Sequence, residues 1–164
     1  MDSGRRKFIH KAGLGAAAGI MGARVKTDLR ETPEFFKNQA IKQALITPVL
    51  NIFELKKPVW ITSIELLRKE DNFICRVRSK DGAEGIAVSN NMQMIYLYPI
   101  FLHRIQPFFI GKDARNLETL LEEVYVYKSN YKLQSLALWV PLATLEFAIL
   151  DMLGYLTDKS IGEL

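Results

Sequence analysis

Cysteine is almost missing from this sequence. Cys75 is the only one in 164 residues, so no disulfide can form within the chain, and zinc sites built on cysteine are excluded. Its place among alternating apolar residues reads as a small core side chain with an inert thiol. Histidine is nearly as scarce, with His103 the only one beyond residue 10. A lone histidine beside Arg104 reads as a solvated or packed residue, not a metal ligand. Repeats and low-complexity tracts are absent. A true surplus of one charge is missing too. The formal net charge is +4, but Arg5, Arg6, Lys7 and Lys11 against Asp2 alone place three of those charges in the first 23 residues. The remainder is close to neutral, and a pI near 9.2 then gives little support to a nucleic-acid partner.

What is present is an ordinary globular balance, 49% hydrophobic and 24% charged. A chain this long has room for one domain that buries roughly 70% of its unfolded surface. The N-terminus is different. A charged stretch precedes the weakly apolar run Ala12–Ala23, which is the layout of a secretory signal and too short to span a bilayer. The pair Arg5-Arg6 followed by Lys7, Phe8 and Ile9 resembles the twin-arginine (Tat) pattern. That resemblance implies residues 1–23 as a signal, the Tat export machinery as a partner, and a periplasmic protein that folds before export. Residues 24–57 read as a connecting extension. Pro33 opens a helix there with Phe36, Ala40 and Ala44 at helical spacing, and Val49–Lys57 stays irregular or extended between Pro48 and Pro58.

From Val59 onward the pattern is that of an α+β fold. Trp60, Thr62, Ile64 and Leu66 alternate with Val59, Ile61, Ser63 and Glu65, predicting a strand. Lys69–Asn72 is a polar turn, and Phe73, Cys75 and Val77 mark the inner face of a second strand. Asp81-Gly82 is a hairpin signal, and a third strand fits Gly85–Ser89. The three make an antiparallel meander. Asn90 or Asn91 then caps a helix to about Gln106 that buries Ile95, Leu102 and Ile105, with Pro99 as a kink. Pro107–Lys112 reads as a loop. Asp113 caps the next helix, whose stripe is Leu117, Leu120, Leu121, Val124 and Tyr125. The segment Pro141–Leu156 is apolar almost all round, hence a central helix, and Ser160-x-x-Glu163 is a capping box that opens another.

Two stretches carry a family resemblance. Val77-Arg78-Ser79-Lys80-Asp81-Gly82-Ala83-Glu84-Gly85 is similar to the hairpin, and Ala143–Gly154 (ATLEFAILDMLG) to the long helix, of the N-terminal capping domain in the enolase superfamily. Its mandelate racemase/muconate lactonizing group is the nearest branch, and Ile110–Asp113 sits where that group often has a Gly-[Arg/Lys]-Asp-Pro stretch. The resemblance covers residues 58–164 and implies an enolase N-terminal-domain-like fold, with Asp81, Gly82, Gly85, Glu146, Asp151 and Gly154 as structural positions. The departures are Leu150 for a usual Trp, Tyr155 for a usual Lys, Ser160 for a common Pro, and a very short first strand connection, Arg68–Asn72.

The same resemblance implies a (β/α)8 barrel after this domain. The barrel would supply the catalytic groups and the carboxylates for Mg²⁺, and would remove the proton next to a small substrate's carboxylate, as a racemase, dehydratase or cycloisomerase. No catalytic residue, metal ligand or bound cofactor is then expected in this chain, and its end at Leu164 is expected to be a truncation. The loop Ser89-Asn90-Asn91-Met92 follows the third strand, where such proteins place a substrate-contacting loop, and is the candidate specificity element. Glu146 and Asp151 are about 140° apart on a helix and so do not form a metal pair. Arg76 and Arg78 share a strand face that suits solvent better than an anionic substrate. The rival reading is a free-standing exported domain that binds a partner without catalysis; a homo-oligomer is compatible with either.

Overall fold

The computed structural model describes residues 39–128, 133 and 135–164. The signal expected at residues 1–23, with Arg5, Arg6, Phe8 and Ile9, and the start of the extension at Pro33 and Phe36, lie outside the described residues. The chain divides into two compact units, Met1–Thr47 and Pro48–Leu164. In the first, helix α1 (Gln39–Ile46) contains Ala40 and Ala44, as the spacing predicts.

The second unit is an α+β domain built on a three-stranded antiparallel sheet in the order β1-β2-β3. The strands are β1 (Ile61–Lys69), β2 (Asn72–Ser79) and β3 (Glu84–Val88). Asp81-Gly82 makes the second hairpin turn, with Gly82 at φ +88°, a conformation that favours glycine. One strand departs from simple alternation. Ile61 opposes Ser79 while Ser63 opposes Arg78, so Thr62 is an extra residue in a β-bulge. The bulge flips the side-chain phase, and Ile61 and Ile64 both point into the core.

The helices cover one face of the sheet. Helix α2 (Asn91–Ile100) continues through a π turn (Phe101–Ile105) into a short α3 (Gln106–Phe109). The expected loop at Pro107–Lys112 is therefore helical to Phe109. The π turn sits between Pro99 and Pro107, neither of which has an N–H to give the preceding turn. There the Gln106 N–H reaches back to the Phe101 carbonyl, five residues away. The core face follows this geometry: Met94, Phe101 and Ile105 are fully buried, whereas Ile95 and Leu102 are only half-buried.

After a 3-10 turn (Ala114–Asn116) capped by Asp113, α4 (Leu117–Val126) buries Leu117, Leu120 and Val124. Tyr125 from the expected stripe stays outside. The long helix α5 (Leu136–Thr157) begins five residues before the predicted start, with Pro141 inside it. It is long and apolar enough for a membrane span by length and composition alone, but its inner face packs on β3 and β2. It ends with Asp158 in the left-handed conformation and the Lys159 N–H on the Gly154 carbonyl. The predicted Ser160–Glu163 box forms, with Ser160 N–H and Oγ both donating to Glu163, but it closes a turn, not a helix.

The two stretches that carry the family resemblance meet in space. An ideal Cβ on Gly85 would lie 2.1 Å from the Ala148 carbonyl oxygen and 2.4 Å from the Met152 nitrogen, so β3 rests directly on the α5 backbone. Beside it the Asp151 carboxylate accepts the Ile86 N–H at 2.8 Å. That bond satisfies a donor on the open edge of β3, which would otherwise be free to pair with another strand.

Candidate functional site

The antiparallel meander brings the β1–β2 turn and the loop after β3 to the same end of the sheet. Lys69 pairs with Asn72 there, and Ile74 with Val88. The loop Ser89–Met92 thus stands beside the turn Glu70–Asp71, and the two are joined directly by a hydrogen bond from Asn91 Nδ2 to Asn72 Oδ1 at 2.8 Å. Asn91 Oδ1 also accepts the Phe73 N–H at 2.8 Å. Asn90 caps α2, its side chain accepting from the Gln93 N–H.

Two groups of this loop remain unengaged. Ser89 is buried, and its hydroxyl has no hydrogen-bond partner among the described residues. Met92 is 78% exposed. Beneath them lies a buried aromatic ring that carries a more exposed tyrosine and an arginine. Phe73 stacks on Tyr98 at 6.0 Å, and the Arg68 guanidinium lies 5.2 Å from the Phe73 ring. This end exposes a thioether at Met92 and a half-exposed guanidinium at Arg68, while the Ser89 hydroxyl is shut off from solvent, and no acid–base pair is arranged there among the described residues.

Elsewhere the chemistry is structural. On the outer sheet face Arg76 is paired with Glu65 and lies 3.9 Å from Glu84, and Arg78 is paired with Glu84 at 2.7 Å. These guanidiniums are already neutralised. His103 is exposed on the π turn. Cys75 is fully buried, and desolvation pushes its thiol up to about 12. In the native protein it is expected to resist a disulfide reagent near about pH 8 and to react fully after denaturation. Native-state labelling at the rate of a free thiol would contradict this burial.

Two features were missed in the sequence. Arg104 is 5% exposed and donates from Nη2 to the carbonyls of Val124 and Tyr125 at the end of α4, while Nε and Nη1 have no partner among the described residues. A guanidinium beside the negative end of a helix dipole is stabilised there, but an arginine within an apolar run carries no pattern that announces it. The other is Arg115, which pairs with Asp113 at 2.7 Å and donates from Nη1 to the carbonyls of Leu55 and Lys56. This clamp fastens the segment after Pro48 to the helical layer.

Among the described residues no three His, Cys, Asp or Glu side chains converge on a point. A donor set for Mg²⁺ is therefore not assembled among the described residues.

No family model and no curated protein matches this chain. Solved structures do. A mandelate racemase/muconate lactonizing protein from Paracoccus denitrificans Pd1222 superposes with a TM-score of 0.54 at 20% identity, over 63% of this chain and 29% of that one. A putative racemase from Roseobacter denitrificans gives 0.54 at 22%, over 63% and 28%. A mandelate racemase/muconate lactonizing protein from Paracoccus denitrificans PD1222 complexed with magnesium gives 0.52 at 21%, over 60% and 28%. The domain therefore has the fold class of part of these proteins, and the chain spans under a third of their length. At this identity the likeness is one of fold.

Proposed function

We propose that residues 58–164 are the N-terminal capping and specificity domain of a mandelate racemase/muconate lactonizing-type enzyme, exported through the Tat route. In this reading the domain is not catalytic alone. A barrel carried by the complete protein removes the proton α to the carboxylate of a small substrate with the help of Mg²⁺, as a racemase, dehydratase or cycloisomerase. The loop Ser89–Met92 closes one side of the substrate space, with the exposed Met92 side chain as its contact. The observation that carries the reading is the superposition on three such structures together with the direct seating of Gly85 on the Ala148–Met152 backbone, because those are the two stretches that resemble the family in sequence.

The test is the size and chemistry of the native protein in cell extract and periplasm, detected by a peptide from Asn116–Lys128. The expected species carries about 250 further residues, the size of a (β/α)8 barrel, and is shortened at its N-terminus in the periplasm. It exchanges the α-proton of acid sugars for deuterium only with Mg²⁺ present. A native protein no longer than 164 residues would overturn the capping assignment.

A further inference from the structure

Trp60 stands just before β1 and is 45% exposed. Its backbone is fixed on both sides. The Ala114 N–H donates to the Val59 carbonyl at 2.8 Å, the Ile61 N–H to the Lys112 carbonyl at 2.9 Å, and the Lys80 N–H to the Trp60 carbonyl at 2.8 Å. The Asp113 carboxylate holds the Val59 N–H. An aromatic on so rigid a backbone gives up little freedom on meeting a ligand. Trp60 lines a cleft of about 450 Å³ together with the buried Leu120 and with Lys112, Asn116, Thr119 and Glu123. That is within the size range of small-molecule sites. β1 has 9 residues, so the cleft lies about 30 Å from the turn that meets the loop Ser89–Met92.

The contents of the cleft select its ligand. No other ring and no cation lies on the Trp60 indole among the described residues. The charges are already matched, Lys112 with Glu123 at 3.7 Å and Asp113 with Arg115 at 2.7 Å. Neither an anion nor a cation therefore finds a free counter-charge there. Asn116 and Thr119 are exposed, and their side chains make no hydrogen bond among the described residues. A carboxamide and a hydroxyl can each donate and accept. An indole face wants an apolar surface, and these two groups want uncharged polar partners beside it. We propose that the cleft binds a neutral pyranose ring, with its C–H face on Trp60 and its hydroxyls on Asn116 and Thr119. A purely apolar occupant fits poorly, because it would take the polar lining from water without replacing its hydrogen bonds. The inference goes beyond the capping assignment and does not depend on it.

The probes are methyl glucoside, methyl galactoside, N-acetylglucosamine and cellobiose, compared with glucuronate and with cyclohexanol. Each is added to the full chain without metal. Binding is read at the indole N–H resonance of Trp60, assigned with Trp60→Phe, and the Trp139 resonance is the internal control. At least one neutral sugar is expected to shift the Trp60 signal with a Kd below about 10 mM and to leave Trp139 unmoved. Trp60→Ala should abolish that binding. Asn116→Ala and Thr119→Ala should each weaken it about three- to tenfold, with unchanged circular dichroism. These two exposed positions carry the test if Trp60→Ala fails to fold. No shift of Trp60 by any neutral sugar below about 10 mM overturns the proposal. So does binding of glucuronate or cyclohexanol as tight as that of the best neutral sugar, or a dimer in solution that buries Trp60.

Discussion

Replacing Gly85 with alanine is expected to cost about 3 kcal/mol or more, at the upper end of what overpacking does to a core. The added Cβ would lie 2.1 Å from a carbonyl oxygen, 2.4 Å from a backbone nitrogen and 2.7 Å from the Met152 Cβ. None of these is the far end of a flexible side chain, so no rotamer change relieves the clash. β3 must lift from α5, which weakens the Ile86–Asp151 bond and opens the contact that holds the sheet to its central helix. Two other glycines separate this cause from a general glycine effect. Gly82 has open space around the position of a Cβ but φ +88°, so Gly82→Ala should cost only about 1–2 kcal/mol of backbone strain. Gly162 has open space and no such φ, and Gly162→Ala should be near neutral. Urea unfolding of the three variants measures the order. If Gly85→Ala is no worse than Gly82→Ala, the close β3–α5 approach is wrong.

That contact also explains which parts of the fold the sequence announces. The meander is legible because one face is wet and the other buried, so period-two alternation survives in β2 and β3. The hairpin at Asp81-Gly82 follows from a φ that few residues adopt. Asp113 is legible as a cap because a short carboxylate before a helix has few other uses. What is not legible has equally local reasons. The bulge at Thr62 leaves no mark in composition, and it alone converts the alternation of β1 into burial of both Ile61 and Ile64. In Met94–Leu102 nearly every residue is apolar, so periodicity cannot choose between Ile95 and Met94 as the inward position; two prolines and a π turn decide it. The early start of α5 escapes because Pro141 reads as a first-turn residue but lies in the second turn, where the helix does without one hydrogen bond. For the candidate site, the loop Ser89–Met92 is visible through its asparagines, whereas its link to the β1–β2 turn depends on sheet register. Arg104 on the end of α4 and Arg115 on the Leu55 and Lys56 carbonyls depend on distant partners, and no single segment contains both halves of either contact.

Asp113→Ala is expected to have the second large effect, about 3 kcal/mol, because one carboxylate serves four donors. Oδ1 accepts the buried Val59 N–H at 2.9 Å and the Arg115 N–H at 3.2 Å, and Oδ2 accepts Arg115 Nη2 at 2.7 Å and Nε at 3.0 Å. Truncation orphans a buried amide, uncaps the turn that starts α4 and leaves a guanidinium without its counter-charge, each of which is costly. It also frees Arg115 from its fixed pose against the Leu55 and Lys56 carbonyls, so the segment after Pro48 should become accessible to protease. Asp113→Asn keeps the shape and an acceptor for Val59 but loses the ion pair, and should cost less. The two contributions separate by pH. Burial pushes the Asp113 carboxyl up, but the bonds from the Arg115 side chain and from the Val59 and Arg115 amides outweigh it, and the group lies below the usual aspartate range. A depressed folded value means the stabilisation is complete above the unfolded aspartate pKa, about 3.9, and is lost as pH falls through the lower folded value. The stability gap between wild type and Asp113→Asn should therefore hold at neutral pH and close below about pH 4. A gap independent of pH would show that the carboxylate acts there only as a neutral acceptor.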